Sequence, residues 1–232
     1  MGNGYFHLQK QVVEEFEQSL QGGANKSSIV GVQKDYANDS QMCLSSISFV
    51  PKDLAAEVTT KIMKPLQAIE PDFYYYPVHS LHLSIKNIRT IHHPPLFTEE
   101  DIKKVAKLFG ETIPQFPSLH FEIEDIIKMP TSVLVIAYAE ENFKKLFLAL
   151  DNGLKEIGVP DDKRYFSDSV VWGSITLCRF TSQPKSEFID KVRSMRHLKF
   201  GEMVVSDIKL VVCNAVCHES SRQIIADFHL QV

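Results

Sequence analysis

The sequence predicts an α+β protein in which two pseudo-symmetric lobes of antiparallel sheet, with helices on their outer sides, flank a central cleft. Helical segments alternate with short strands of the kind found in antiparallel sheets. No glycine-rich phosphate loop follows a strand, which argues against a doubly wound nucleotide-binding sheet. Two strands, around His82 and around Ser174, share a polar–apolar–hydroxyl pattern. Such a repeat is expected if the two halves of the chain have similar architecture.

The predicted helices are segments whose apolar residues recur at helical spacing. Thr98 is followed by three acidic residues, a pattern typical of a helix start, and Gly110 ends that helix. The predicted helices are Tyr5–Leu20, Asp53–Ile69, Thr98–Phe109, Glu141–Ile157 and Pro184–Met195.

The predicted strands are short apolar or alternating segments bounded by turn residues. They are Met42–Val50, Leu81–Ile88, Leu119–Ile127, Val133–Tyr138, Val170–Phe180, Lys209–Cys217 and Gln223–Val232. The aromatic segment Phe73–Tyr76 is predicted to be a short strand or a loop. The stretch up to Ser40 is polar and predicts a loop, with at most one short strand at Ile29-Val30. We therefore expect one two-lobed domain over residues 1–232, with residues 1–40 forming an N-terminal helix and loop.

Composition and charge exclude several classes of function. Of the 232 residues, 44% are hydrophobic, enough for a core, and the net charge is −4. A net negative chain is not a non-specific binder of nucleic acid or membranes, so any RNA contact needs a local basic cleft. No apolar run approaches the roughly 18 residues that span a bilayer. We therefore expect no membrane partner and no extended nucleic-acid surface.

The four cysteines, Cys43, Cys178, Cys213 and Cys217, all lie in apolar, strand-like segments. Buried free cysteines behave as small hydrophobic residues, which favours a reducing, cytoplasmic location. Cys213 and Cys217 are four residues apart and His218 adjoins Cys217, which makes a metal site conceivable, but no second cysteine or histidine pair has zinc-ligand spacing. We expect no metal site.

The repeated triplets are His82-Leu83-Ser84 and Ser174-Ile175-Thr176. Residues two apart on a strand point to the same face, so His82 and Ser84 share one face, as do Ser174 and Thr176. Two such strands side by side would line a polar cleft with one imidazole and three hydroxyls.

Four further residues are candidates for the same cleft. On a regular strand Lys86 would share the face of His82 and Ser84 and could add positive charge to the cleft. Alternatively, it is a solvated lysine at the end of the strand. Arg179 has the opposite parity to the second triplet and reaches the cleft only if the strand twists or bulges near Phe180. Tyr76 and Trp172 could stack on a nucleotide base, although core packing is the commoner fate of such rings.

These motifs resemble the two-histidine (2H) phosphoesterase superfamily, which includes RNA 2′,5′ ligase-like proteins and RNA 2′,3′-cyclic phosphodiesterases. That family carries two copies of His–x–Thr/Ser in apolar strands, and its second copy typically reads His–x–Thr–Leu–x–Arg. The first copy is matched by His82-Leu83-Ser84. The second is Ser174-Ile175-Thr176-Leu177-Cys178-Arg179, which fits except that serine replaces the histidine.

The resemblance implies a cleft in which one imidazole is general base and the other general acid on a phosphodiester, with no metal or cofactor. His82 would be the surviving catalytic imidazole, Ser84 and Thr176 would bind phosphate oxygens, and Ser174 and Lys86 would add phosphate contacts. Losing one acid–base partner costs on the order of 10²–10⁴-fold in rate.

A substitute for the missing imidazole is also conceivable. His79 has odd spacing from the first triplet, so on a regular strand it faces away, whereas His120 and His218 could approach from other strands.

Three hypotheses about function follow. The protein is a weakened phosphodiesterase acting on a 2′,3′-cyclic phosphate or a 2′,5′ linkage, a nucleotide- or RNA-end-binding module without catalysis, or a protein-interaction module with a vestigial cleft. We favour the first, with a nucleotide or RNA-end phosphate as the ligand of a monomer.

Overall fold

The computed structural model describes residues 3–23 and 25–231, so the predicted strand end at Val232 lies outside the described residues. Its strands are β1 (Met42–Phe49), β2 (Tyr74–Tyr75), β3 (His82–His92), β4 (Leu119–Lys128), β5 (Ser132–Ala139), β6 (Gly173–Arg179), β7 (Lys199–Val205), β8 (Asp207–Cys213) and β9 (Gln223–His229). They form one nine-stranded sheet in the order β7-β4-β5-β6-β3-β1-β8-β9, with β2 beside β6.

One helix precedes the first strand, and the other helices lie between strands along the chain. They are α1 (Asn3–Gln21), α2 (Lys52–Val58), α3 (Lys64–Gln67), α4 (Glu99–Thr112), α5 (Glu141–Glu156) and α6 (Ser186–Ser194), with a π-helical turn over Thr59–Met63 joining α2 to α3. Pro65 follows that turn and cannot donate the next helical hydrogen bond, so the predicted helix Asp53–Ile69 is irregular. Within the described ranges, no helix is both long and apolar enough to cross a bilayer.

Apart from β2, the sheet consists of two halves of four strands that meet where β3 pairs with β6. In each half the strand at the junction pairs antiparallel with a strand from earlier in the chain, and helices lie between the two: β3 pairs with β1, and β6 pairs with β5. This arrangement confirms the predicted α+β fold and places both polar triplets at the junction of the halves.

Clusters of buried hydrophobic residues cover the two faces of the sheet. On one face Val133, Val135 and Ala137 of β5 belong to the main core with Phe143 and Leu146 of α5. On the other face a second core contains Val13 of α1 with residues of β4 and β5. The members of this second core are Val13, Ile127, Leu134, Ile136 and Tyr138. Helix α1 therefore packs on the face opposite to α5.

Helix α1 is anchored by buried polar contacts as well as by this core. The Gln9 side chain is fully buried, donates to the Val171 carbonyl at 2.5 Å and accepts from the Ala139 N–H at 3.0 Å. Lys10 pairs with Glu124 at 2.6 Å. These contacts hold α1 firmly against the sheet.

Strand β7 was not predicted from the sequence. Gly201, with a φ of 85°, and a bulge in the pairing opposite Ile123 and Glu124 break the alternation by which a strand is recognised.

Strand β8 stops before Cys217, where the sequence predicted the strand to end. The Asn214 side chain accepts hydrogen bonds from the N–H groups of Val216 and His218 at 3.2 and 3.1 Å. Such side-chain bonds to nearby backbone turn the chain and end the strand.

Candidate active site

The two triplets lie side by side at the centre of the sheet. Leu83 of β3 pairs with Ile175 of β6, and both are buried in the main core. Because side chains alternate along a strand, the flanking residues point to the opposite face, which forms the wall of a cleft of about 1160 Å³. The flanking residues that line it are His82, Ser84, Ser174 and Thr176. The predicted meeting of the triplets in one cleft is thus present in the fold.

A β-bulge follows the first triplet. Ser46 of β1 pairs with Lys86, but its neighbour Ile47 pairs with Ser84, so Ile85 is an extra residue in β3. A bulge reverses the alternation beyond it. Lys86 therefore points away from the cleft, and the expectation that it shares the face of the triplet and binds phosphate there is wrong.

A second β-bulge follows the second triplet. Adjacent residues of β5 pair with Cys178 and Thr176, so Leu177 is an extra residue in β6. Leu177 and Cys178 are both buried, whereas Arg179 is half-exposed and lines the cleft. We expected Arg179 to reach the cleft only if this strand twists or bulges. The strand does bulge, and Arg179 lines the cleft.

Because each strand has a bulge after its triplet, the residues that follow the bulge also have matching orientations in the two strands. Lys86 and Cys178 each follow the extra residue and are buried, and Asn87 and Arg179 each come next and line the cleft. At this equivalent position the second lobe therefore contributes the guanidinium of Arg179, and the first lobe contributes the side-chain amide of Asn87.

His82 is held as a neutral imidazole with one nitrogen free. Its Nδ1 lies 2.8 Å from the Ser80 carbonyl oxygen, which can only accept, so Nδ1 carries the proton and Nε2 keeps its lone pair. The pKa of His82 is lowered to about 4, mainly by burial and further by the charges of Arg179 and Arg222, against the opposing effect of the Ser80 bond. At neutral pH this imidazole can accept a proton.

Tyr76 fixes Arg179 in the cleft. The Arg179 Nε donates to the Tyr76 hydroxyl at 3.1 Å, and that hydroxyl donates to the Ala215 carbonyl at 3.1 Å. The Tyr76 ring is 2% exposed and its centroid lies 6.0 Å from that of His82. These contacts favour a supporting role for Tyr76, and its stacking on a base stays a prediction.

Lys86 is the centre of a buried ionic cluster behind the cleft wall. Its ammonium pairs with Asp151 of α5 at 2.7 Å and with Asp161. It also lies 4.0 Å from the ring centroid of Phe147 and 5.0 Å from that of Tyr165. A side chain with 0% exposure and two carboxylate partners has a structural role here.

Lys163 is a cleft residue that the sequence analysis missed. It lines the cleft from the segment between α5 and β6, two residues after Asp161. Burial lowers its pKa to about 8; Asp161 opposes this shift, and the charges of Lys86 and Arg179 add to it. No motif marks such a residue, because its position depends on the anchoring of Asp161 to Lys86.

Trp172 is half-buried and lines the cleft beside α1, as its predicted role in base stacking requires. Its ring centroid lies 5.8 Å from that of Phe16, which in turn lies 5.1 Å from that of Phe166. The end of the cleft near the second triplet thus has an aromatic wall. Stacking of a base there is a prediction.

The other histidines considered as substitutes lie elsewhere. Within the part of the chain that the structure describes, the cleft lining includes none of His79, His120 and His218. His79 is 3.2 Å from Glu219, and His218 contacts Ser220 at 2.7 Å.

Three of the four buried free cysteines, Cys43, Cys213 and Cys217, also line the cleft. The sulfurs of Cys43 and Cys213 are 3.7 Å apart. Among residues 3–23 and 25–231, no cluster of histidine, cysteine and carboxylate side chains has the geometry to hold a metal ion.

No family model and no curated protein matches the chain. Solved structures share its fold. E. coli LigT complexed with 3′-AMP aligns with a TM-score of 0.58 and 14% identity over 83% of this chain and 100% of LigT. A crystal structure of a phosphoesterase aligns with a TM-score of 0.58 and 13% identity over 83% and 100% of the two chains.

The protein TT0787 of Thermus thermophilus aligns with a TM-score of 0.56 and 18% identity, covering 82% of this chain and 98% of that one. E. coli LigT has also been crystallised with ATP and with phosphate. The chain therefore has the fold of LigT and related phosphoesterases, as the resemblance of its triplets predicted.

Proposed function

We propose that the cleft binds the phosphate of a nucleotide or RNA end and that His82 is the general base in hydrolysis of a 2′,3′-cyclic phosphodiester or a 2′,5′ linkage. The single observation that carries this proposal is the bond from His82 Nδ1 to the Ser80 carbonyl. It leaves Nε2 as an unprotonated nitrogen in a cleft that also holds Arg179. The nucleotide and phosphate complexes of E. coli LigT, which shares the fold, support the choice of ligand.

The residues around His82 suit a phosphodiester. The guanidinium of Arg179 can form paired hydrogen bonds with two phosphate oxygens, and the hydroxyls of Ser84, Ser174 and Thr176 can donate to the others. A water between the phosphorus and Nε2 would lose its proton to the imidazole as it attacks. A base with a pKa of about 4 is weak, so turnover should be slow.

A second candidate function is nucleotide binding without catalysis. The observation that favours it is the serine at position 174, since an alcohol does not act as a proton donor or base near neutral pH without activation. On this reading the cleft binds the same ligands, and its chemistry has been lost.

Turnover of 2′,3′-cyclic AMP by the purified protein tests the proposal. We expect slow hydrolysis that His82→Gln abolishes, with no change in His120→Gln, whose side chain is exposed on β4. Binding of 3′-AMP without turnover would favour the nucleotide-binding module. Absence of both would contradict the proposal and favour a protein-interaction role.

A further inference from the structure

The segment between α5 and β6 is anchored on both sides of Lys163. Asp161 pairs with the buried ammonium of Lys86. The Arg164 N–H donates to the Ser28 hydroxyl, and the Ser28 N–H donates to the Arg164 carbonyl, both at 2.9 Å. These contacts fix the backbone around Lys163 and direct its side chain into the cleft that contains the first triplet.

The groups that face the Lys163 ammonium are mostly cationic or aromatic. Lys86 and Arg179 contribute positive charge, Asp161 contributes negative charge but is already paired with Lys86, and the Tyr165 ring centroid is 5.3 Å away. The thiol of Cys43 is the remaining group that affects the pKa of Lys163, and it raises that pKa. In the described residues the neighbouring carboxylate of Asp161 forms its ion pair with Lys86 and not with Lys163, so the Lys163 proton is available to a ligand.

Arg179 connects Lys163 to the catalytic imidazole. Its charge lowers the pKa of Lys163 and also that of His82, after the larger effect of burial on each. Both groups therefore lie within electrostatic reach of one guanidinium. Because His82, Arg179 and Lys163 line the same cleft, a phosphate bound there would share that cleft with a base and an ammonium group.

We propose that Lys163 donates the proton to the leaving oxygen, in place of the imidazole that is missing at Ser174. This inference rests on the hydrolysis proposed above. As water attacks phosphorus, its proton passes to His82 Nε2 and the new P–O bond forms. The P–O bond to the ribose oxygen breaks, and that oxygen takes a proton from the Lys163 ammonium. The products are a hydroxyl and a phosphate monoester, and solvent returns one proton from the imidazolium to the amine.

Other nearby groups are less suited to this step. An arginine does not lose its proton in proteins, which excludes Arg179. The Tyr76 hydroxyl donates its proton to the Ala215 carbonyl, and burial raises its pKa. A serine hydroxyl does not release its proton near neutral pH. Lys163 is an ammonium group of the cleft that is protonated at neutral pH and able to give its proton up.

The protonation states define a pH window. His82, with a pKa of about 4, is the free base above that pH, and Lys163, with a pKa of about 8, is protonated below pH 8. The groups that set these values are the Ser80 carbonyl, Arg179 and Arg222 around His82, and Asp161, Lys86, Arg179 and Cys43 around Lys163. The value of kcat/KM should therefore fall on either side of this window.

Two substrates with different leaving groups test the inference. The ribose oxygen of 2′,3′-cyclic AMP needs a proton to depart, whereas the nitrophenolate of a nucleoside nitrophenyl phosphodiester does not. We expect Lys163→Met to lower turnover of the cyclic substrate by about 10²-fold. Turnover of the nitrophenyl ester should fall much less. Lys163→Arg should retain affinity for 3′-AMP without regaining turnover of the cyclic substrate. Lys103→Met, at an exposed position on α4, is the control.

Each other outcome overturns the inference. If Lys163→Met lowers turnover of both substrates equally, or if Lys163→Arg restores turnover of the cyclic substrate, Lys163 acts as a phosphate-binding charge and the proposed hydrolysis stands. If the unaltered protein turns over neither substrate, the proton donor and the proposed hydrolysis both fail.

Discussion

Gly173 lies directly against Leu83 at the junction of the two halves of the sheet. A Cβ atom at position 173 would sit 2.6 Å from Leu83 Cδ1 and 3.2 Å from the Ala137 Cβ. Leu83 and Gly173 each adjoin a cleft residue, His82 and Ser174. The absence of a side chain at Gly173 therefore lets the two triplet strands approach, and the site depends on this contact.

The first prediction concerns this contact. Gly173→Ala should lower the free energy of unfolding by about 1–3 kcal/mol, the usual cost of overpacking, and should also weaken binding of 3′-AMP by displacing β6. Urea denaturation and a binding titration measure the two effects. Gly4→Ala, in a helix with no atom within 4 Å of the new Cβ, should lose neither property. Full stability and affinity in Gly173→Ala would show that the junction does not need close approach.

The second prediction concerns Arg179. Arg179→Gln should weaken 3′-AMP binding by about 10–100-fold, since hydrogen bonds to charged groups contribute roughly 1.5–3 kcal/mol. It should also shift the acid limb of the pH profile upward, because the charge of Arg179 lowers the pKa of His82. Arg193→Gln, on an exposed face of α6, serves as control. Unchanged affinity would show that Arg179 does not belong to the proposed phosphate site.

The third prediction concerns the buried ammonium of Lys86. Lys86→Met leaves Asp151 and Asp161 without their shared partner, and breaking a buried pair in this way costs about 3–5 kcal/mol. Lys155→Met removes the exposed partner of the same Asp151 and should change stability little, because exposed pairs contribute little. Equal unfolding midpoints for the two variants in urea would contradict the structural role of Lys86.

The sequence was sufficient for the part of the site that depends on local alternation. The patterns around His82 and Ser174 predicted two strands with polar faces, and their similarity predicted that the strands belong to equivalent lobes. Alternation over three residues does not depend on the neighbouring strands, so these predictions hold in the fold.

The errors lie where register with a neighbouring strand decides the direction of a side chain. Parity placed Lys86 in the cleft and left Arg179 outside it unless the strand bulged, and the extra residues Ile85 and Leu177 reverse both assignments. A bulge is defined by the pairing of two strands, so one strand's sequence does not reveal it. Lys163 was missed for a related reason, because tertiary contacts bring it to the cleft.

The most direct measurement is the turnover of 2′,3′-cyclic AMP by Ser174→His. The chain has the fold of phosphoesterases, and its cleft contains a free imidazole nitrogen on His82. Serine occupies position 174, where the family motif has a second histidine. In a Lys163→Met background, where the proposed proton donor is absent, a histidine on β6 should raise turnover by about 10–100-fold, since positioned acid–base groups contribute at least this much. The gain should vanish when His82→Gln is added. No gain, in a variant that still binds 3′-AMP, would contradict the assignment of this cleft as a phosphoesterase site with one missing histidine.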